Sequence, residues 1–198
     1  VLHTGARLGQ AIHNRKYGCT ADRLVISEPM WGNTHLDLWG RCGLHTLLDE
    51  ASAALFRGRH VTVQIFTTTD NWNALTHSPH IEALRERAEI SFFDLQPLLE
   101  SDVRDRNYLA MMVAHWTSLV LGRRDDSDVI VLVADYIFGR GSLGYLGEQI
   151  KSKSYDAMYS VDLPTGERAW DELSDLTQFE NGPGLVEAEV LERLFLDN

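Results

Sequence analysis

The sequence predicts a single-domain α/β protein built on a mostly parallel sheet with helices on both faces. Strand-like and helix-like segments alternate along the chain, which is the pattern of a parallel sheet covered by helices. Residues 128–134 form a continuous run rich in Val and Ile, typical of a parallel strand buried on both faces. With 198 residues, of which 44% are hydrophobic, the chain can bury a substantial core. No repeat or low-complexity linker divides it, so we expect one domain.

Strands are predicted where β-branched and aromatic residues cluster. These segments are residues 23–28, 61–67, 89–95 and 128–134, with an edge or late strand at residues 155–163. Pro29 interrupts the first strand, and residues 31–33 are predicted to form the loop after it. The polar residues 68–71 are predicted to form a turn after the second strand, followed by a short helix.

Helices are predicted where apolar residues recur at spacings of three and four. The segments are residues 43–57, 81–88, 108–121, a helix after Gly141, and the short segments 169–176 and 185–196. The strongest is 108–121, whose apolar face carries Leu109, Met112, Val113, Trp116, Leu119 and Val120. We expect that face to lie in the core. The polar residues 100–107 before it are predicted to form a loop suited to a lid.

The overall composition excludes some classes of partner. The net charge is −11, which disfavours a nucleic-acid backbone binder, because such proteins neutralise phosphates with clustered Lys and Arg. No apolar run reaches the length that spans a bilayer. The two cysteines, Cys19 and Cys42, do not form a CxxC motif, which favours the cytoplasm. The chain begins with Val1 rather than Met, as a fragment of a longer protein would.

Polar or aromatic residues follow at least three of the predicted strands. Glu28 precedes a Trp31-Gly32 loop, residues 67–70 end the second strand, and Asp135 ends the strand at 128–134. Because parallel strands bring their carboxyl ends to one edge, these groups are predicted to share a pocket. A packing role is the commoner explanation for Trp31, and turn formation for residues 67–69. Asp135 differs, because a charge directly after a buried run is costly unless it is paired, solvated or metal-bound.

Taken in order, these features resemble GT-A-type nucleotide-sugar glycosyltransferases, and in particular a group of bacterial glycosyltransferase-like proteins. The matching elements are a Trp-Gly loop, a Thr-Thr-x-Asp-like strand end, a Tyr-containing helix with a central His, and a strand ending in Asp followed by Gly-Ser. Here they are Trp31 and Gly32; Thr67, Thr68 and Asp70; Tyr108 and His115; and Asp135, Gly141 and Ser142. The resemblance covers about residues 23–150, and its order is more specific than any one element.

The resemblance implies a Rossmann-like, GT-A-like fold and transfer of a sugar from a nucleotide-sugar donor to an unknown acceptor. It places Trp31 and Asp70 beside the base and ribose, with Trp31 as a stacking wall and Thr68 also at the nucleotide. The turn at residues 139–142 would offer backbone N–H groups to an anion at the next helix N-terminus. The related enzymes hold Mn²⁺ or Mg²⁺ on the diphosphate, which implies such an ion at Asp135.

The chain departs from the Asp-x-Asp pattern of this family at one position. Val133 stands where the first acid would fall, and one Asp alone makes a poor site for a hard metal ion. Another oxygen ligand could join Asp135, or Asp135 could bind a sugar or ribose hydroxyl without metal. A third alternative is a catalytically inactive nucleotide- or sugar-binding module.

A different class is a metal-dependent hydrolase using His35, Asp37 and His115. His-x-Asp pairs are common by chance, and a hydrogen-bonded, half-buried role is the commoner one for a histidine beside an apolar helix face.

Under the glycosyltransferase resemblance, the domain is expected to comprise an N-terminal extension (about 1–22), a nucleotide- and donor-binding half (23–150) and a C-terminal part (151–198) that is incomplete for holding an acceptor.

Overall fold

The computed structural model describes residues 22–134 and 138–152. Four strands occupy Arg23–Pro29 (β1), His60–Thr67 (β2), Glu89–Asp94 (β3) and Asp128–Val131 (β4). They form one sheet in the order β3-β2-β1-β4, and every neighbouring pair is parallel. The predicted α/β class with a Rossmann-like parallel sheet is therefore confirmed. The predicted strand at 155–163 and helices at 169–176 and 185–196 lie outside the described residues.

Helices connect the strands and cover both faces of the sheet. They are Asn33–Leu38 (α1), Leu44–Leu48 (α2), Ala53–Phe56 (α3), Thr69–Leu75 (α4), Pro79–Arg85 (α5), Gln96–Leu99 (α6), Arg106–Arg124 (α7) and Ser142–Ser152 (α8). A π-helical segment, Trp39–Gly43, joins α1 to α2, and a 3-10 turn, Glu50–Ser52, precedes α3. None of the helices in the described ranges is long and apolar enough to cross a membrane.

The main core lies on the sheet face that carries Leu24, Ile26, Val63 and Ile65. On this face the strands pack against the helical connection between β1 and β2, against α5 and against α8. The helical residues of this core are Trp39, Leu44, Leu47, Leu55, Ile81, Leu84 and Leu143. Since side chains alternate along a strand, the residues between these positions point to the other face.

The second face of the sheet is covered by α7 through small residues. Ala110, Ala114, Ser118 and Gly122 recur every four residues and are buried, which lets the helix backbone approach the strands closely. A Cβ added at Gly122 would lie 2.3 Å from a Val129 methyl group. Ala110 and Ala114 pack with Phe66 and Leu95, and the Ser118 hydroxyl donates to the Gln64 side chain at 2.7 Å.

The expectation that the broad apolar face of this long helix lies in the core is wrong. Its six side chains, which we call the outer face of α7, are between 37% and 68% exposed: Leu109, Met112, Val113, Trp116, Leu119 and Val120. The sheet is contacted by the opposite, small-residue side. Hydrophobicity predicted the wrong face because close helix–sheet packing selects small side chains here, and the larger ones are left outside.

Two further expectations need correction. The helix predicted for residues 43–57 begins earlier, at Asn33, and is interrupted where Asp49 adopts extended backbone; its end at Gly58 is confirmed, because that glycine has a φ of 71°. The segment at 128–134 is not buried on both faces, since Val131 is 37% exposed. Among the described residues β4 is also an edge strand and not a central one.

Candidate functional site at the carboxyl edge of the sheet

The strand order creates a switch point between β1 and β4. From β1 the chain builds β2 and β3 outward on one side, and β4 is added on the other side. In open parallel sheets the crevice outside the carboxyl ends of such a pair of strands is the usual place for a ligand. Here the connection after β1 and α8 after β4 both pack on the main-core face of the sheet. The loop after β1 and the residues after β4 therefore delimit the candidate site.

The loop after β1 carries Trp31 and Gly32. Met30 anchors it by donating its backbone N–H to the Phe66 carbonyl at 2.9 Å. Trp31 is half-buried and packs against the cluster that contains Phe66 and Ala110, so packing accounts for part of its ring. Gly32 has a φ of 75° and precedes α1, a conformation that favours glycine. The loop is thus anchored at the end of β1, and the Trp31 side chain remains partly accessible.

The end of β2 places three predicted residues in different environments. Thr67 is fully buried, and its hydroxyl has no hydrogen-bond partner. Thr68 caps α4, where its side-chain oxygen accepts from the Asn71 N–H at 3.3 Å. Asp70 is exposed in the first turn of the same helix, where a negative charge interacts favourably with the helix dipole. Thr68 therefore caps α4, Asp70 is exposed at this edge of the sheet, and Thr67 has an unmet hydrogen-bonding capacity.

A buried acid lies beneath this edge at Glu28, one of the strand-end groups predicted to share the pocket, although the sequence assigned it no role. Glu28 is 2% exposed, and burial raises the pKa of its carboxyl from 4.5 to about 8, although the nearby Trp39 side chain lowers the pKa in part. The Trp39 indole N–H nevertheless makes no hydrogen bond of ordinary geometry. A carboxyl with this pKa is mostly protonated at neutral pH and can donate a hydrogen bond.

Glu28, Thr67 and Trp39 form what we call the rim cluster. Glu28 pairs in register with Ile65, and Thr67 lies two residues further along the same strand, so both side chains point to the face that Trp39 covers. Two of the three residues have buried, unpartnered polar atoms. Buried polar groups without partners are uncommon in native proteins, and strongly shifted pKa values such as that of Glu28 cluster at functional sites. The sequence signal was available: an acid inside the β1 run.

The residues after β4 lead into α8. Val133 is half-buried and Ala134 is buried; Asp135, the central residue of the prediction, lies outside the described residues. Gly141 has a φ of 83°, and the Ser142 N–H donates to the Gly139 carbonyl at 3.0 Å. Ser142 is exposed as the first residue of α8. The predicted turn before a helix N-terminus is therefore present.

Small residues fix the position of α8 against the chain that precedes β2. A Cβ added at Gly144 would lie 1.9 Å from the Ala51 carbonyl oxygen, and one at Gly147 would lie 2.8 Å from Leu55 backbone atoms. Arg140, just before the helix, forms an ion pair with the largely buried Asp49 side chain at 3.6 Å. Asp49, where the helical connection is interrupted, thus helps to fix the position of α8 through its ion pair with Arg140.

The three residues of the hydrolase hypothesis are not brought together. His35 and Asp37 are exposed on α1, where Asp37 pairs with Arg41 at 2.9 Å. His115 lies on α7, which covers the opposite face, and its Nε2 is 3.4 Å from the Leu132 carbonyl oxygen. Burial lowers the pKa of His115. His115 is therefore a half-buried, hydrogen-bonded histidine in this structure.

The described residues do not supply a metal site by themselves. Within residues 22–134 and 138–152, no group of three or more His, Cys, Asp or Glu side chains could hold an ion. Val133 offers no ligand atom from its side chain, and Glu28 carries its proton at neutral pH.

The fold and the site define the protein's class: a Rossmann-like α/β protein with a candidate ligand crevice at the β1/β4 switch point. In comparisons with family models, curated proteins and solved structures, nothing matches the chain at a significant level.

Proposed function

We propose that the chain is the donor-binding part of a glycosyltransferase-like protein, which binds a nucleotide sugar at the β1/β4 crevice and transfers the sugar to an unidentified acceptor. The observation that carries the proposal is the switch point between β1 and β4, because the loops that leave these strands contain Trp31, Gly32, Gly141 and Ser142. Ligands of open α/β sheets bind at this position.

In this proposal each part of the edge has one task. The accessible side of Trp31 stacks on the base, and Asp70 and Thr68 lie toward the ribose. The diphosphate lies at the N-terminus of α8, whose backbone N–H groups and dipole favour an anion. Asp135, directly after Ala134 in the chain, acts on a sugar or ribose hydroxyl, or on Mn²⁺ or Mg²⁺ if one is bound.

The transfer itself would be a substitution at the anomeric carbon. The acceptor hydroxyl oxygen forms a bond to that carbon while the bond from the carbon to the diphosphate oxygen breaks. The diphosphate leaves with the electron pair, and the acceptor proton passes to a base that we leave unassigned. The protein contributes by orienting the two substrates and by stabilising the departing diphosphate.

A second candidate is a binding module without catalysis. Val133 in place of a second acid favours it, together with the protonated state of Glu28, because the described edge then provides no carboxylate pair for a metal-bound diphosphate. Both candidates predict nucleotide binding. They differ in turnover.

The experiment is a thermal-shift and calorimetric titration with UDP, GDP, ADP and CDP, each with Mn²⁺ and with EDTA. We expect one nucleotide to raise the melting temperature, and Asp135→Asn and Trp31→Ala to weaken its binding about tenfold or more. Asp102→Asn, an exposed change in the loop before α7, is the matched control. Absence of binding by all four nucleotides in both conditions would refute the proposal.

Release of nucleoside diphosphate from the matching nucleotide sugar separates the two candidates. Turnover that Asp135→Asn abolishes indicates the transferase, whereas tight binding without turnover indicates the module.

We also propose the cytoplasm as the compartment. The buried thiol of Cys42 is free, and burial raises its pKa to about 12, as suits a structural cysteine in a reducing environment.

A further inference from the structure

The rim cluster contains three buried polar side chains, and two of them lack hydrogen-bond partners within the described part of the chain. Glu28, Trp39 and Thr67 are 2%, 1% and 0% exposed. Trp39 Nε1 and Thr67 Oγ1 are the unpartnered atoms. A buried donor or acceptor without a partner is costly, because it has lost its hydrogen bonds to water and gained none in the protein. The cluster therefore needs a further hydrogen-bonding group.

The helical connection after β1 fixes the Trp39 ring in this position. Trp39 opens the π-helical segment Trp39–Gly43, where the Leu44 N–H donates to the Trp39 carbonyl five residues earlier. A Cβ added at Gly43 would lie 2.8 Å from the indole Cδ1 and 3.3 Å from its Nε1, so the ring lies directly against Gly43. Packed between this helical turn and the main core, the ring has little freedom to turn its N–H toward another acceptor. Short π-helical turns are rare, and they are frequent at functional sites.

Trp39 lies near the Glu28 carboxyl without making a direct hydrogen bond of ordinary geometry. The indole lowers the pKa of this carboxyl, against the larger effect of burial, which raises the pKa to about 8. The two groups are therefore close together. Since Nε1 nevertheless has no partner among the described residues, the gap between the indole and the carboxyl is of the kind that a bridging water fills.

The strand register separates Thr67 from Glu28 by a similar gap. Glu28 pairs with Ile65, so Thr67 lies two residues further along β2, and the Cα atoms of Glu28 and Thr67 are about 8 Å apart. The threonine side chain is too short to cross this distance. A water molecule that bonds to two groups joins atoms about 5–6 Å apart, which fits the span between the Thr67 hydroxyl and the other two side chains.

We propose that the rim cluster is a binding site for one internal water molecule, held by Glu28, Trp39 and Thr67. The water accepts hydrogen bonds from the Trp39 indole N–H and from the O–H of the Glu28 carboxyl, and it donates to the Thr67 oxygen. Three hydrogen bonds to otherwise unsatisfied groups are the usual number for a buried water. The water then joins the ends of β1 and β2 to the π-helical segment beneath the Trp31-Gly32 loop.

The chemistry of the cluster selects water over an ion. A cation would meet the Trp39 N–H, which is a donor and offers no lone pair. An anion would be a buried charge beside an acid, which is costly without a cationic partner. A neutral molecule that both donates and accepts satisfies all three side chains. The site is present with or without a nucleotide at the edge, so it does not rest on the proposed function.

The direct test is a crystal structure of the full chain at a resolution that shows ordered waters. We expect one water within about 2.7–3.2 Å of Trp39 Nε1, Thr67 Oγ1 and a Glu28 carboxyl oxygen. A direct hydrogen bond between the Trp39 N–H and Glu28, with no water at the cluster, would overturn the proposal.

Oxygen-17 magnetic relaxation dispersion counts long-lived internal waters in solution. Thr67→Val with Trp39→Phe leaves the water one polar partner, fewer than the two it needs, so the count should fall by about one. The matched control is Thr62→Val with Trp116→Phe, which makes the same chemical changes on the opposite face of the sheet and on the exposed side of α7 and should leave the count unchanged. Equal counts in the wild type and the rim-cluster variant would contradict the proposal.

Thr67→Val alone keeps the test decisive if the double variant does not fold. It has nearly the same volume as the wild-type residue and removes one of the three hydrogen bonds, so the residence time of the water should shorten about fivefold. A residence time equal to that of the wild type would mean that Thr67 does not hold a water, and the proposed site would be refuted.

Discussion

Glu28→Gln tests whether a buried, protonated acid lies beneath the candidate site. In the unfolded chain this carboxyl titrates near 4.5, whereas in the folded protein it keeps its proton up to about pH 8. Between these values the folded state binds more protons than the unfolded state. The free energy of unfolding should therefore fall as pH rises from about 4.5, and should level off above about 8. Glutamine fills the same volume and does not ionise.

The magnitude follows from the two pKa values. Relative to low pH, the Glu28 carboxyl should cost the wild type about 1 kcal/mol at pH 5, about 3 kcal/mol at pH 7 and about 5 kcal/mol at pH 9. A domain of this size has a free energy of unfolding of about 5–15 kcal/mol, so the effect is large. Any cost of the amide itself is independent of pH and cancels when the two conditions are compared.

The assay is urea unfolding of the wild type and Glu28→Gln at pH 5 and pH 9. The variant should gain about 4 kcal/mol relative to the wild type between the two conditions. Glu148→Gln, at an exposed position on α8, controls for the removal of an acid. Parallel pH dependences of Glu28→Gln and the wild type would refute the assignment of a protonated buried carboxyl.

Three further predictions concern the supports of the site, and urea unfolding measures each of them. Gly144→Ala should lower the free energy of unfolding by about 1–3 kcal/mol, because its Cβ would lie 1.9 Å from a backbone oxygen. Gly40→Ala is the control: a Cβ at that position would have no atom within 4 Å, so the change should be neutral or slightly stabilising. Equal effects of the two changes would contradict the close packing of α8. Ser118→Ala should cost about 1–3 kcal/mol, since it removes the buried 2.7 Å hydrogen bond to Gln64, and a cost near zero would mean that the bond contributes nothing. Thr68→Ala should lower the free energy of unfolding by about 1 kcal/mol, because it removes the cap on α4. An unchanged urea midpoint would contradict this prediction.

The candidate site illustrates how far strand ends can be located from sequence. The loop at Trp31-Gly32, the end of β2 at Thr67 and the turn before Ser142 were placed from local patterns, because a strand that ends in polar or glycine residues is recognisable in one dimension. The role of Asp135 and the nucleotide-sugar donor remain predictions. Glu28 was noticed as a strand-end acid but was not chosen as a site residue, since its burial and its proximity to Trp39 depend on a helical connection folded over the sheet.

The sequence by itself determined the alternation of strands and helices, the parallel class of the sheet, and the glycine that ends the connection before β2. These follow from periodicity and turn chemistry, which act over a few residues. Only the tertiary structure decided the strand order, the edge position of β4 and the side of α7 that faces the sheet. The periodicity of α7 predicts that Trp116 and its apolar neighbours are buried. In the structure the residues that pack against the sheet are instead Ala110, Ala114, Ser118 and Gly122. The physical reason is steric: how closely a helix can approach a sheet depends on side-chain size across the contact, and the chain specifies that contact only when both surfaces are assembled.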